Sequence, residues 1–335
     1  MILVTGGTGL VGSHLLYFLL KENNSVRAIH RNTSDLQAVK KVFSYYTEAS
    51  EEIFKKIEWI EADITDIPAL TLAFKDIVYV YHAAAYISFD PKHYRKLKKA
   101  NIKGTANVVN LCIQNKIKKL CYVSSIATLG KSENGSLVNE ATQWNPEEDH
   151  NVYSITKYGA EMEVWRGTQE GVDAVIVNPG IIFGSGYWNS GSGVIVKMAN
   201  KQIPFYTSGG SGIVDVKDVV SIMIKLMKSE IVNKNYILVS KNISHKELLS
   251  ELAMLLQKNP PRNYISKWIL VLFTKIDWFL NKIFGTKRKL LRATVDSLYN
   301  QSFYDTTRVK TDLNISFTPY KETLERVSLN YSKES

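Results

Sequence analysis

The sequence contains very little cysteine and no long apolar run. Only two cysteines, Cys112 and Cys121, occur in 335 residues, which excludes a disulfide-stapled scaffold and predicts a reducing compartment. No apolar stretch reaches the length of a membrane-spanning helix. A strand is predicted from residue 2 with no basic segment before it, so no signal peptide is expected. These absences together predict a globular, cytoplasmic protein.

The positive charge of the chain is large but dispersed. Lysine and arginine number 42 against 32 acidic residues, and the net charge is +10. Such an excess suits nucleic acid, an anionic membrane surface or a polyanionic cofactor. The basic residues form only modest clusters, at Lys92–Lys99, Lys116–Lys119 and Lys287–Arg292, and no nucleic-acid-binding motif accompanies them. We therefore expect no nucleic-acid partner, and no metal site is predicted.

Strand-like and helix-like segments alternate over the first 180 residues, which is typical of a parallel sheet covered by helices. The predicted strands are Ile2–Thr5, Ser25–His30, Ile57–Ala62, Ile77–Ala83, Lys119–Ser124 and Ala174–Asn178. The predicted helices are Leu10–Lys21, Pro68–Phe74, Tyr94–Gln114 and Val152–Gln169. The pattern predicts a doubly wound α/β fold of the Rossmann type, whose ligands meet at the carboxyl ends of the strands.

After Pro179 this alternation weakens and glycine-rich loops appear. Helix-like Asp215–Lys228 and His245–Gln257 flank a strand-like segment, Tyr236–Val239. We interpret residues 1–180 as the nucleotide-binding domain. Residues 181–330 are then a smaller C-terminal substrate lobe, partly interleaved with the main sheet.

Three glycines at the first strand–helix junction form the strongest motif. Gly6 permits the turn, Gly9 lets the backbone approach a pyrophosphate, and Gly12 lets the helix pack close to the strand. The phosphates would then bind free N–H groups at the positive end of the helix. The spacing predicts a dinucleotide site.

A tyrosine and a lysine stand four residues apart in the last helix of this domain. Tyr153 and Lys157 share one helix face, and an adjacent ammonium would move the pKa of a tyrosine toward neutral pH. Upstream, Ser124 and Ser125 end a strand, where a hydroxyl could hold a carbonyl oxygen beside the tyrosine. The plainer alternatives are a surface lysine beside a packed tyrosine and an ordinary serine cap.

In combination these motifs resemble the extended branch of the short-chain dehydrogenase/reductase family, the NAD-dependent epimerase/dehydratase superfamily. The resemblance covers residues 1–240 well, and is to members like dihydroflavonol reductases and 3β-hydroxysteroid dehydrogenases. Asn101 is similar to the family's helix asparagine, and Asn178-Pro-Gly180 resembles its Arg-Pro-Gly segment with Asn in place of Arg.

The resemblance implies a role for each matching position. Tyr153 would be the acid–base, Lys157 would bind the nicotinamide ribose and lower the tyrosine pKa, and Ser125 would polarise the carbonyl, with Ser124 as the alternative. The implied cofactor-binding positions are Thr5, Gly6, Gly9, Leu10, Val11, Gly12, Asp63, Ile64, Ala83, Ala84, Tyr153, Lys157 and Pro179.

The end of the second strand bears on the cofactor. NAD sites usually place an acidic residue there, but His30 occupies that position and no carboxylate occurs before Asp35. Arg31 follows at once, with Arg27 nearby, and a guanidinium suits a 2′-phosphate. We expect NADP(H) to be preferred, with NAD(H) still open, and these arginines could instead be solvated strand-end charges.

The substrate is less well defined by the sequence. Epimerases of this branch carry an arginine for the nucleotide diphosphate where Ser211 stands here, which weakens the nucleotide-sugar interpretation unless Lys217 or an arginine of the C-terminal tail substitutes. The aromatic C-terminal segment favours an apolar carbonyl or alcohol substrate. A nucleotide-sugar epimerase or dehydratase with tightly held NAD is the alternative, and a non-catalytic NAD(P)-sensing regulator is a third. A homodimer is compatible with such folds.

An aromatic segment near the C-terminus has three interpretations. Its apolar residues recur at helical spacing with basic flanks. They are Trp268, Leu272, Phe273, Ile276, Phe279, Leu280, Ile283 and Phe284. The helix could pack in the core, cover the substrate, or make peripheral membrane contact through residues 264–292.

Overall fold

The computed structural model describes residues 1–23, 25–132, 135–285 and 290–335. Its strands, in chain order, are β1 (Ile2–Thr5), β2 (Val26–His30), β3 (Ile57–Glu61), β4 (Tyr79–His82), β5 (Lys119–Val123), β6 (Ala174–Pro179), β7 (Ile181–Phe183), β8 (Phe205–Tyr206), β9 (Gly210–Asp215), β10 (Lys234–Leu238), β11 (Lys241–Ser244) and β12 (Asn263–Tyr264).

Its α-helices, in the same order, are α1 (Leu10–Glu22), α2 (Leu36–Ser44), α3 (Ser50–Phe54), α4 (Ile67–Ala73), α5 (Tyr94–Leu97), α6 (Gly104–Gln114), α7 (Val152–Gln169), α8 (Ser192–Asn200), α9 (Val216–Lys228), α10 (His245–Leu255), α11 (Lys267–Phe284), α12 (Arg292–Tyr299), α13 (Thr307–Leu313) and α14 (Tyr320–Ser332).

Seven strands form the central sheet in the order β3-β2-β1-β4-β5-β6-β10, and every neighbouring pair is parallel. Adjacent residues of β1 show why several of these strands are largely apolar, since Leu3 packs on one layer of helices and Val4 on the other. Helices α1, α2 and α9 cover one face, and α4, α6 and α7 cover the other. The predicted Rossmann-type fold is confirmed.

A smaller group of elements follows the sixth strand. Strand β9 pairs with β7 in parallel and with β11 antiparallel, and α8, α10 and α14 pack around them in a separate apolar core. Strand β10 and helix α9 also come from this half of the chain but belong to the central sheet and its covering layer. The division of the chain at residue 180 stays a prediction.

The predicted helix Tyr94–Gln114 is continuous but contains a π-helical turn at Lys98–Lys103. Asn101 lies in this turn, where its side chain accepts the Tyr86 N–H (2.8 Å) and donates to the Tyr86 carbonyl (3.0 Å) and to Thr156 (3.2 Å). The irregular turn thus aims the amide at the loop after β4 and at α7.

Candidate active site

Two of the three glycines in the first turn are required by close contacts. Gly6 has φ +73°, and a Cβ on it would lie 2.5 Å from the Ala84 nitrogen. A Cβ on Gly12 would lie 2.1 Å from the Gly6 carbonyl oxygen. Any side chain at either position would force the backbone apart.

Gly9 differs because the space beside it is open. The nearest atom to a Cβ there would be the Gly6 oxygen, at 3.5 Å. Gly9 is also the N-cap of α1 and makes no side-chain cap, so no side chain of this residue covers the first-turn amides of Leu10, Val11 and Gly12. A bare, positively polarised helix end is of the kind that binds a pyrophosphate, and the site there stays a prediction.

The loop after β4 lies against this turn. The Ala83 N–H donates to the Thr5 carbonyl (3.1 Å) and the Ala84 N–H to the Thr5 hydroxyl (3.4 Å). That hydroxyl also bonds the His82 ring at 2.6 Å. Thr5, Ala83 and Ala84 therefore share one edge of the sheet with the glycine turn.

The other cofactor positions differ in what they could offer. The Asp63 carboxylate is already bonded to the N–H and hydroxyl of Thr65, at 2.8 and 2.7 Å. Ile64 is buried against α6, where Gly104 leaves room for it, and Pro179 is buried at the end of β6. Because both residues are buried, only the edges of their side chains could contact a cofactor.

The end of β2 places one arginine in solvent and the other inside. Arg31 is exposed, whereas Arg27 is buried and bonds Glu58 (2.8 Å) and two backbone carbonyls. Of the two arginines named from the sequence, Arg27 is therefore held inside the protein and only Arg31 is open to solvent. Asp35, the first carboxylate after β2, is used as the N-cap of α2.

Helix α7 brings the predicted catalytic residues together. Asn151 caps its first turn, and Tyr153 lies edge-on to Phe89 with ring centroids 5.5 Å apart. Burial raises the pKa of Tyr153, and a hydrogen bond with the Ser125 hydroxyl partly opposes this. Ser125 is thus the hydroxyl beside the predicted acid–base.

Lys157 is buried, with 1% of its surface exposed. Its Nζ donates to the Tyr122 hydroxyl (2.6 Å) and the Val123 carbonyl (2.9 Å). Burial lowers the pKa of Lys157 to about 7, although the charge of Glu161 acts in the opposite direction. The expected lowering of the Tyr153 pKa by this lysine is not seen, because the ammonium reaches past the tyrosine to β5.

Glu161, one turn further along α7, is a buried carboxylate that the sequence analysis missed. Its Oε2 accepts hydrogen bonds from Ser124 (2.5 Å), Thr128 (2.7 Å) and Asn178 (2.9 Å). These three donors come from the end of β5, the turn after it and β6. Glu161 therefore ties the segment carrying Ser125 to the helix carrying Tyr153. The signal in the sequence was its spacing, since it continues the helix face of Lys157.

These contacts distinguish the roles of Ser124 and Ser125 and give Asn178 a structural role. Ser124 is bonded to Glu161, so it is not free to replace Ser125. Asn178 donates to Glu161 and also to the Ser125 carbonyl at 3.2 Å. An asparagine at this position therefore helps to hold the serine turn.

A buried chain of hydrogen bonds connects the glycine turn with the lysine. Thr5 bonds His82, His82 bonds Thr105 (2.9 Å), Thr105 lies beside the Tyr122 hydroxyl, and Tyr122 accepts from Lys157. Burial lowers the pKa of His82 to about 3 and raises that of Tyr122 well above its usual value. Both are neutral at physiological pH, so the chain fixes the lysine without adding charge.

The aromatic C-terminal segment forms α11, but it is not core. All eight apolar residues named for it are exposed, Trp268 and Phe284 by about two-thirds, so the core interpretation is wrong. The local spacing could not show this, because the same spacing serves buried and exposed faces. Residues 286–289 of the predicted 264–292 segment lie outside the described residues, and 287–289 of these belong to the 287–292 basic cluster.

Two features are absent from the described parts of the chain. There, no group of three or more His, Cys, Asp or Glu side chains is arranged to hold a metal. None of the helices described combines the length and the apolar character needed to cross a membrane.

Several known proteins are similar to this chain. A "Putative dihydroflavonol 4-reductase" of Synechocystis is 26% identical over 330 residues, covering 96% of this chain and 91% of that protein. Sterol demethylase protein B of Methylococcus capsulatus is 25% identical, covering 78% and 76%. The crystal structure of gox2253 matches with TM-score 0.82 and 25% identity, over 100% of this chain and 98% of the other.

Fold similarity extends to enzymes of nucleotide sugars. The UDP-glucose 4-epimerase of Thermotoga maritima, solved with UDP-glucose, matches with TM-score 0.77 and 18% identity over 99% of both chains. The family model for the NAD dependent epimerase/dehydratase family matches residues 2–238. With its glycine turn, Ser125, Tyr153 and Lys157 at one edge of the sheet, the chain belongs to the NAD dependent epimerase/dehydratase family, whose members are NAD(P)-dependent reductases, epimerases and dehydratases.

Proposed function

We propose that this protein is an NAD(P)-dependent oxidoreductase that interconverts a carbonyl and an alcohol on a small, apolar substrate. The observation that carries the proposal is the contact of Ser125 with Tyr153, one helical turn from a buried Lys157. The nicotinamide, when bound, supplies or accepts the hydride. Ser125 donates a hydrogen bond to the carbonyl oxygen, and the Tyr153 hydroxyl exchanges a proton with it.

Lys157 and Glu161 act on this pair from behind. The lysine is held on β5 by Tyr122 and Val123, where its ammonium would meet the ribose of the cofactor. Glu161 keeps the Ser125 turn against α7. These contacts orient the reacting side chains before the substrate arrives, which lowers the entropic cost of reaction.

NADPH is the proposed cofactor, with NADH as the alternative. Arg31 is exposed at the end of β2, and Asp35 is committed to capping α2. A guanidinium without a competing carboxylate favours a 2′-phosphate over a ribose hydroxyl.

The apolar substrate is supported by two relatives, by one residue identity and by one ion pair. The relatives are sterol demethylase protein B and a cinnamoyl-CoA reductase of Petunia hybrida, whose name indicates an aromatic acyl group on a polar carrier. Ser211 stands at the position expected for a diphosphate-binding arginine. Arg326, a candidate replacement from the tail, bonds the buried Asp215 at 2.5 Å.

Nucleotide-sugar epimerase or dehydratase chemistry is the second candidate. It begins with the same transfer of a hydride, and a UDP-glucose 4-epimerase of Vibrio cholerae is 26% identical over 294 residues. A non-catalytic NAD(P) sensor is less favoured, because both Tyr153 and Lys157 are present.

The first experiment identifies the nucleotide. The purified protein is denatured, any released nucleotide is identified, and nucleotide-free protein is titrated with NADPH and NADH. We expect freely exchanging NADPH that binds roughly tenfold or more tightly than NADH, and Arg31→Ala should remove most of that difference. Tightly retained NAD would favour the epimerase or dehydratase, and tighter NADH binding would contradict the NADPH preference.

A tyrosine variant then separates an enzyme from a sensor. Tyr153→Phe should bind NADPH almost as well as the wild type, because only one hydroxyl is removed. Reduction of aromatic and steroid-like carbonyls, screened by loss of NADPH absorbance, should fall by roughly 10²–10⁴-fold. Turnover that survives this change would refute the assigned acid–base.

Three other expectations stay proposals. They are a homodimer, a peripheral membrane contact through residues 264–292, and a cytoplasmic location. The two free, buried cysteines support a reducing compartment.

A further inference from the structure

Helix α11 exposes an apolar surface without parallel among the described helices. Nine of its large apolar side chains are at least 41% exposed, and Thr274 is its one buried residue. With 100° of rotation around the helix axis per residue, six of the nine side chains lie within a single arc about 120° wide. These six, here called the α11 face, are Leu272, Phe273, Ile276, Phe279, Leu280 and Ile283.

Charged residues lie beside this face and not within it. Lys275 and Lys282 follow one border, and Lys282 lies over the ring of Trp278 at 5.2 Å. Asp277 lies at the other border, where its carboxylate accepts the N–H of Leu290 at 3.2 Å. The helix is therefore strongly amphipathic, with basic residues at the boundary between its apolar and polar surfaces.

The opposite side of α11 is the one attached to the protein. It packs on α12, Lys267 pairs with Asp296 at 2.7 Å, and the Tyr299 hydroxyl donates to the Ile265 carbonyl at 2.6 Å. This attachment leaves the α11 face turned outward. Within the described ranges of the chain, the exposed fractions show that nothing covers the face.

Charge decides which partner fits this face. The helix carries three lysines and one aspartate, the sequence continues into Lys287–Arg292, and the whole chain has net charge +10. Self-association through the face would bring two positively charged helices together. An anionic lipid surface offers hydrocarbon for the apolar arc and phosphate for the lysines.

We propose that the α11 face docks this protein on the surface of an anionic lipid bilayer. The helix lies in the plane of the headgroups, its apolar arc enters the acyl boundary, and Lys275 and Lys282 meet the lipid phosphates. The proposal concerns attachment only and is independent of the reaction catalysed.

The test is co-sedimentation of the full chain with vesicles at low ionic strength. One set contains phosphatidylcholine alone and the other also contains phosphatidylglycerol. Wild type should bind the anionic vesicles roughly tenfold or more tightly than the neutral ones, and salt should weaken this binding. Lys275→Gln/Lys282→Gln should lose most of the preference.

A second variant tests the apolar face itself. Leu272→Glu/Ile276→Glu should bind anionic vesicles at least roughly tenfold less, while Leu72→Glu, at a 70% exposed site on α4, should bind like the wild type. NADPH affinity and the unfolding transition, unchanged in all variants, would show that each is folded. We expect both to be unchanged because all the substituted side chains are exposed on the surface of the protein.

Two results would overturn the proposal. One is no binding of wild type to anionic vesicles, and the other is binding that Leu272→Glu/Ile276→Glu retains. If the wild type does not bind vesicles and light scattering shows a dimer that Leu272→Glu/Ile276→Glu abolishes, the face belongs to a second copy of the chain.

Discussion

Helices α7 and α11 have 18 residues each, and both depart from the usual pattern of buried apolar and exposed charged side chains. Helix α7 buries a lysine and a glutamate in the middle of the protein. Helix α11 exposes nine large apolar residues at its surface. The first arrangement places charge where it is costly, and the second places hydrocarbon where it is costly.

The difference between them is compensation. On α7, Lys157 donates two hydrogen bonds and Glu161 accepts three from neighbouring strands and turns, so the buried charges are satisfied. On α11 no comparable compensation is found among the described residues. Buried charges whose hydrogen bonds are satisfied indicate a site built into the fold, whereas an exposed apolar face that nothing covers indicates a binding partner.

The largest expected effect breaks the compensation on α7. Glu161→Gln should lower the free energy of unfolding by about 1–3 kcal/mol, because the amide cannot accept all the bonds that the carboxylate accepts. Urea denaturation would measure it. The matched control is Glu163→Gln on the same helix, whose ion pair with Arg166 is partly exposed and should be worth less than about 1 kcal/mol. Equal effects of the two substitutions would contradict the role of Glu161 in joining α7 to the end of β5 and to β6.

The next effect concerns pH and Lys157. Its pKa is lowered from 10.5 to about 7 in the folded chain, so between these pH values the unfolded chain binds a proton that the folded chain has released. Stability contributed by this group therefore rises with pH across that window. Urea midpoints at about pH 7 and about pH 9 should show a rise in wild type that is smaller in Lys157→Met. Parallel pH dependences in the two proteins would contradict the buried, weakly basic lysine.

The smallest expected effect sharpens the view of α11. Leu272→Ala should change the free energy of unfolding by less than about 0.5 kcal/mol, since a half-exposed side chain loses few contacts. The same urea titration measures it. A loss of about 2 kcal/mol or more, the range of a buried leucine, would show that the face is packed against the protein.

Much of the fold followed from local signals in the sequence. The first six strands and the helices at 10–22 and 152–169 lie within a residue or two of their predicted positions, because apolar runs and glycine or asparagine boundaries encode them directly. Helices α2, α3 and α8 were not predicted. Each has nine residues or fewer, a length that is marginal in isolation, and packing on neighbours stabilises them.

The candidate site was predictable where it depends on one segment. Gly6 permits the turn through its positive φ, Gly12 leaves room for the Gly6 carbonyl, and the four-residue spacing of Tyr153 and Lys157 fixes a shared helix face. The sequence alone determined these features because glycine spacing and helix periodicity are local signals, although the Gly6 turn also packs against Ala84 far along the chain.

Tertiary structure alone decided the remaining features. Contacts between residues far apart in the chain decide which serine lies beside Tyr153 and where Lys157 donates its hydrogen bonds. They also decide that Arg27 is internal and that Glu161 joins three elements. The exposure of α11 belongs to the same class. A helical apolar pattern specifies a face, but only the packing of the whole chain decides whether that face is covered.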